Sequence, residues 1–206
     1  SSEMSIQYLS QGHCFIHLEA LRQKFSCTKT MTTLSISIVT HRIDQALFLE
    51  LLENLSRASA NAIDNGVIQE VKLVIVDNAD DYEFLVQSTS DIITFETYIF
   101  RNSENIGFGR AHNLALEQCE SDIHLLLNPD VILQQDALIV GCNYLLSNEE
   151  TVMGGPYAMQ PNGSRAYLCK RYPSVLDLLL RGFAPAWMKR IFHKRLVRYE
   201  CSDYPD

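Results

Sequence analysis

The sequence predicts an α/β fold, a Rossmann-like and mainly parallel sheet flanked by helices. Three observations predict it. Apolar, β-branched runs of strand length alternate with stretches of helical periodicity. The successive strands are separated by segments long enough for crossover connections. Four of the strand-like runs stop on polar clusters, which an open parallel sheet gathers at its carboxyl edge, where ligands bind.

The elements follow in order. Residues 1–30 show little periodicity and read as an amino-terminal extension, a loosely packed or disordered arm that precedes the start of the domain at Met31. Leu34 to Val39 is β-branched and apolar, a buried strand ending at Thr40 and His41. Asp44 is placed to cap a helix on which Leu47, Leu51, Leu55 and Ala58 share a face, with Asn65-Gly66 as its stop. Val71 to Val76 forms the second strand, ending at Asp77-Asn78 and followed by an acidic loop. Thr94 to Phe100 forms the third, and the loop "SENIGFG" leads into a helix from Arg110 to Cys119. The fourth strand, "DIHLLLN", ends at Asn128. A helix from Gln135 to Leu146, a strand "TVMGGPYAM" and a tight turn "QPNGS" complete the core, assigned to residues 31–165.

Residues 166–206 form a basic helical tail. From Arg165 onward come nine Lys and Arg residues, while the acids are Asp177, Glu200, Asp203 and Asp206. Apolar positions such as Leu176, Phe183, Trp187 and Phe192 lie among them, a pattern suited either to packing on the domain or to peripheral contact with an anionic membrane. The chain as a whole carries a net charge of −8, which argues against nucleic acid as a partner. The six cysteines form no C-x-x-C pair and read as thiols of a reducing compartment, so a cytoplasmic protein is expected.

Three clusters carry chemistry. Asp77 at the end of "LVIVDN" offers a carboxylate to a base imide or a ribose hydroxyl, or else forms a turn. In "NIGFGRAHN", Gly107 and Gly109 let the backbone approach a ligand, the helix that opens after Gly109 presents N–H groups to an anion, and Arg110 adds a fixed charge. The dinucleotide fingerprint fails here, because a third glycine is missing and the loop follows the third strand. In "LLLNPDV", Pro129 ends the strand and aims Asp130 away from it, while Val131 to Leu133 return to the core. A single rigid carboxylate with substrate phosphates suits Mg²⁺ or Mn²⁺.

Taken in this order, "SIVTHR", "IVDNADD", "NIGFGRAHN" and "LLLNPDV" resemble the motifs of family 2 glycosyltransferases with the GT-A fold, over residues 34–198. The resemblance implies that Thr40, His41, Asp77, Asn78, Asn105, Gly107, Gly109, Arg110 and Asn113 line a nucleotide-sugar site, and that Asp130, with Asn128 nearby, holds the metal. It implies an inverting transfer from a nucleoside-diphosphate sugar to a saccharide or lipid-linked acceptor, in polysaccharide or cell-wall biosynthesis at the inner face of the plasma membrane. "RYPSVLDLLLRGF" further resembles rhamnosyltransferases that use dTDP-L-rhamnose; a UDP-sugar is the other expected donor.

The family's general base lies in an acidic stretch well downstream of the metal motif, and no carboxylate after Arg165 sits in such a stretch. The chain therefore reads as an amino-terminal fragment, and no catalytic base is assigned. A donor-binding module without transfer is the first rival reading. A nucleotidyltransferase is the second, opposed by the lack of a glycine-rich loop in "THRIDQA".

Overall fold

The structure, a computed structural model, describes residues 5–8, 18–19, 32–148, 150–151, 153–155, 157–159, 165–166, 192 and 194. Its elements run β1 (Ser5–Tyr8), β2 (Leu18–Glu19), β3 (Thr33–Thr40), α1 (Gln45–Asp64), β4 (Glu70–Asp77), α2 (Tyr82–Ile92), β5 (Glu96–Arg101), α3 (Phe108–Gln118), β6 (Ile123–Leu127), β7 (Val131–Leu133), α4 (Ala137–Ser147), β8 (Met153–Gly154), β9 (Tyr157–Met159) and β10 (Arg165–Ala166). The main sheet has the order β5-β4-β3-β6-β2-β8, and a small second sheet the order β10-β9-β1-β7.

Strands β3, β4, β5 and β6 are mutually parallel, so their carboxyl ends share one edge. The strand order explains where the helices lie. From β3 to β4 to β5 the chain steps outward in one direction, which under the right-handed crossover rule places α1 and α2 on one face. From β5 it returns across the sheet to β6, which places α3 on the other. The point where the order reverses lies between β3 and β6, the crevice where open α/β sheets bind ligands.

Side-chain alternation matches the two faces. Leu34, Ile36 and Ile38 of β3, Val71, Leu73 and Ile75 of β4 and Ile123, Leu125 and Leu127 of β6 form one large core with α1, and Ala137, Leu138, Cys142 and Leu145 of α4 join it. Val39, Val74 and Val76 face the other way, onto Ala111, Ala115 and Cys119 of and after α3. Helix α1 forms as expected. Asp44 accepts from the amides of Ala46 (3.0 Å) and Leu47 (3.2 Å), and Phe48, Leu51, Leu52, Leu55, Ala58 and Ala62 are buried at helical spacing. Gly66 follows the helix with φ 68°, a backbone angle that suits glycine.

Several elements depart from the sequence expectation. The expected acidic loop after Asp77 contains α2, whose buried face is partly polar: Leu85, Ser88 and Thr89. Ser88 and Thr89 bond back to the carbonyls of Phe84 (2.7 Å) and Leu85 (2.6 Å), which lets hydroxyls occupy the inward face without an apolar repeat to betray it. Helix α3 starts at Phe108, so Gly109 lies inside its first turn instead of before it. The run "TVMGGPYAM" is split into β8 and β9. The amino-terminal extension contributes β1 and β2: β1 pairs with β7 and β9, and β2 with β6 and β8, where Glu19 is the cross-strand partner of His124. The "QPNGS" turn and the helical reading of the basic tail lie outside the described residues.

Leu55 is fully buried beneath the sheet, whereas Asp44 only caps α1. Leu55→Ala is expected to cost about 2–5 kcal/mol and Asp44→Ala about 1 kcal/mol in urea-induced unfolding. Equal losses would mean that α1 is held by its cap more than by its packing.

Candidate functional site

The ends of β3, β4 and β5 are in register, Thr40 beside Asp77 and Asp77 beside Arg101. Asp77 is in phase with Val71, Leu73 and Ile75, so it occupies the next inward slot of β4 and is completely buried. Its Oδ1 accepts from the Thr40 hydroxyl at 3.4 Å, a long contact, and from the Ala79 amide at 3.0 Å, which fixes the turn that follows. Its Oδ2 is buried with no hydrogen-bond partner. A buried carboxylate oxygen left unsatisfied is costly, and natural proteins retain few such groups without a use.

The neighbours lock around it. The Asn78 amide donates to the Thr40 carbonyl (2.9 Å), and the Asn102 amide to the Asp77 carbonyl (2.9 Å). The Asn102 side-chain amide donates to Asn78 Oδ1 at 2.7 Å, and His41 Nδ1 lies 3.2 Å from the Asn78 carbonyl. Arg42, one residue on, holds φ 54°, a left-handed conformation that costs a side chain-bearing residue about 1 kcal/mol or more and that clusters at functional edges. Thr40, His41, Asp77, Asn78 and Asn102 thus form one bonded group. Asn102 is the member that none of the sequence motifs singles out.

The glycine loop borders this group. Asn105 Oδ1 accepts from the Gly107 amide at 2.9 Å, and Gly107, at φ 85°, is the residue before α3. The amides of the first helical turn have no intrahelical acceptor, so they are available to an anion. Gly109 has a helical backbone, and a Cβ there would meet nothing within 4 Å, so only Gly107 needs to be glycine for conformational reasons. Arg110 and Asn113 are exposed on α3.

Asn128 is buried at the end of β6 and Asp130 half-buried just before β7, pinned by Val131 and Leu133 in the core. Among the described residues, no three His, Cys, Asp or Glu side chains gather as a metal cluster. A carboxylate with an amide oxygen is a hard-oxygen donor pair. It fits a cation that keeps water and takes further ligands from phosphates, and it does not fit a closed protein-only site.

Beneath the edge, on the α3 face, runs a buried chain of hydroxyls and imidazoles. Ser37 Oγ lies 2.7 Å from His112 Nδ1 and 2.9 Å from His124 Nε2. Ser35 Oγ lies 2.6 Å from His124 Nδ1 and 2.6 Å from Ser121 Oγ, and the Ser121 hydroxyl donates to the Ile123 carbonyl at 2.8 Å. Burial lowers the His124 pKa to about 4. Sequence reasoning passed over these residues. The signal was the serine at every second position of "LSISIV", a polar face on a strand buried on both sides.

A parallel sheet with helices on both faces, and with its polar residues gathered at the carboxyl edge, defines an α/β protein of the Rossmann-like, GT-A type. The chain belongs to glycosyl transferase family 2, whose sequence profile matches residues 36–206. No curated protein matches the chain. Among solved structures, S. aureus TarS 1-349 is similar at 18% identity with a TM-score of 0.44, covering 57% of this chain and 33% of that one. TarS 1-349 in complex with UDP-GlcNAc matches at 18% identity and a TM-score of 0.45, covering 57% and 32%. Its complex with UDP matches at 18% identity and 0.45, covering 57% and 33%. The chain thus spans about a third of the TarS chains that it matches.

The neutral state of His124 has a consequence for stability. Its folded pKa of about 4 lies below the ordinary 6.5. Above pH 6.5 neither the folded nor the unfolded chain protonates it. As pH falls from 6.5 to 4 the unfolded chain takes up the proton and the folded one does not, so stability drops, by about 3 kcal/mol in all. Denaturant titrations from pH 7 to pH 4 are expected to show this slope in the native chain and its loss in His124→Gln.

Proposed function

We propose that residues 31–165 bind a nucleoside-diphosphate sugar along the carboxyl edge of β3 to β6, as the donor half of an inverting family 2 glycosyltransferase. The observation that carries this reading is Asp77 Oδ2, a buried carboxylate oxygen with no partner at the ligand edge of a chain of this family. It accepts a hydrogen bond from the imide N–H of a pyrimidine base or from a ribose hydroxyl, and Thr40 holds the other oxygen in place. Asn78 and Asn102 frame the nucleoside with their bonded amides. The first-turn amides of α3 and Arg110 face the developing negative charge of the diphosphate. Asp130 and Asn128 would hold Mg²⁺ or Mn²⁺, and the chemistry such an ion would supply there is charge neutralisation at a diphosphate.

An acceptor hydroxyl attacks the anomeric carbon from the opposite side, and a general base must take its proton. No described residue is assigned that task. Asp177, Glu200, Asp203 and Asp206 lie outside the described residues. Donor binding without transfer is therefore the second reading. L-Rhamnose as the sugar rests on the resemblance of residues 171–183 alone. Peripheral membrane contact, which would bring the site to a lipid-linked acceptor, rests on the basic tail.

Calorimetric titration with uridine, UDP and their thymidine counterparts tests the proposal. Asp77→Ala is expected to weaken nucleoside and diphosphate alike by about tenfold or more, the scale of a hydrogen bond to a charged group. Asp130→Ala is expected to abolish the Mg²⁺ dependence of diphosphate binding and to leave nucleoside binding unchanged. Unaltered affinity in Asp77→Ala would overturn the base-site assignment. Formation of a glycosylated product from UDP- or dTDP-sugars by the chain alone would overturn the second reading.

A further inference from the structure

The buried chain from α3 to β6 has a direction. A serine hydroxyl has one hydrogen to donate. That of Ser121 points to the Ile123 carbonyl, so the 2.6 Å contact between Ser121 and Ser35 is a hydrogen bond only if Ser35 donates. With its hydrogen so used, Ser35 accepts from His124, which places the proton of that ring on Nδ1. Nε2 of the neutral ring is then an acceptor, so Ser37 donates to it. Ser37 in turn accepts from His112 Nδ1. Each link leaves one orientation for the next.

We propose that His112 is a positioning residue for the glycine loop, held as the Nδ1–H tautomer by a one-way chain of hydrogen bonds through Ser37, His124, Ser35 and Ser121 to the Ile123 carbonyl. His112 sits one turn into α3, and its ring lies edge-on to Phe108, the first residue of that helix, with centroids 4.3 Å apart. Its Nδ1–H bond to β3 is a polar tie between the start of α3 and the strand whose end carries Thr40. The tie therefore sets how far the first-turn amides of α3 stand from the edge where the diphosphate is proposed to lie. In this last step the inference rests on the donor-site reading; the tautomers do not.

The chemistry makes a demand that packing alone does not. Removing the Ser121 hydroxyl releases Ser35 to donate to His124 Nδ1. That moves the His124 proton to Nε2, turns Ser37 around and moves the His112 proton to Nε2. A change at the far end of the chain is thus read at α3, two side chains and two rings away.

The test is long-range ¹H–¹⁵N correlation on the full 206-residue chain with ¹⁵N-labelled histidine, at neutral pH. Both rings are expected as Nδ1–H tautomers, and Ser121→Ala is expected to raise the Nε2–H form in both rings in step. An Nε2–H ring in the native chain, or a His112 ring unmoved by Ser121→Ala, overturns the chain. UDP and uridine titrations then test positioning. His112→Asn, which keeps a donor near the Nδ1 position, is expected to stay within about threefold of native UDP affinity. His112→Phe, which keeps the ring without the donor, is expected to lose about tenfold for UDP and little for uridine. Equal UDP affinity in these two variants overturns the positioning role. If the native chain binds neither ligand, the donor-site reading fails and positioning with it, while the tautomer spectra still decide the chain.

Discussion

Everything at the carboxyl edge depends on the parallel pairing of β3 with β4 on one side and β6 on the other. Eight consecutive residue pairs join β3 to β4, from Thr33 and Glu70 to Thr40 and Asp77. Side chains alternate along a strand, so a slip of one residue would turn Leu34, Ile36 and Ile38 from the large core toward α3 and bring Ser35 and Ser37 into their place. The register is therefore held by hydrophobic burial along its whole length. Because it is held, the two strand ends meet, and Thr40 and Asp77 come within reach of one another without any dedicated contact to bring them there.

The same alternation places polar groups where an apolar residue is the default, and the protein meets the cost in two ways. On the α3 face, Ser35, Ser37, His112 and His124 are each 3% exposed or less, and each bonds to at least one of the others, which offsets part of its desolvation. At the edge, Asp77 is equally buried, but one of its oxygens is left without a partner. A bonded network rigidifies, whereas the Asp77 oxygen carries a desolvation cost that no protein donor offsets. The contrast is the basis for proposing a binding use for Asp77.

Electrostatics constrain the same edge. Asp130 puts a carboxylate close to where a diphosphate is proposed to lie, on a chain whose net charge is −8. Like charges at such range repel by kilocalories in a poorly screened site. The opposing positive elements of the chain are the amino-terminal end of α3 and Arg110, to which the proposed function adds a divalent cation. Gly107 matters here, since its left-handed backbone turns the chain into the helix that points those amides at the edge.

By itself the sequence determined the order of the main strands and helices, the edge on which the polar clusters lie, and the two motifs that border it. Apolar periodicity, Asp44 before α1 and Pro129 after β6 are local signals, and local signals survive translation into structure. Helix α2 escaped notice because Ser88 and Thr89 face inward and satisfy themselves on their own backbone, which hides the periodicity. The start of α3 moved by two residues because only the fold decides which of two glycines must take a positive φ. What tertiary structure alone decided was the state of the buried polar groups. That Asp77 keeps an unpartnered oxygen, and that Ser35, Ser37, His112, Ser121 and His124 join into one chain, depends on residues as much as 89 positions apart being brought within 3 Å. Spacing along a chain carries no information about such contacts, because their geometry is set by how strands β3 and β6 pair and how α3 crosses them.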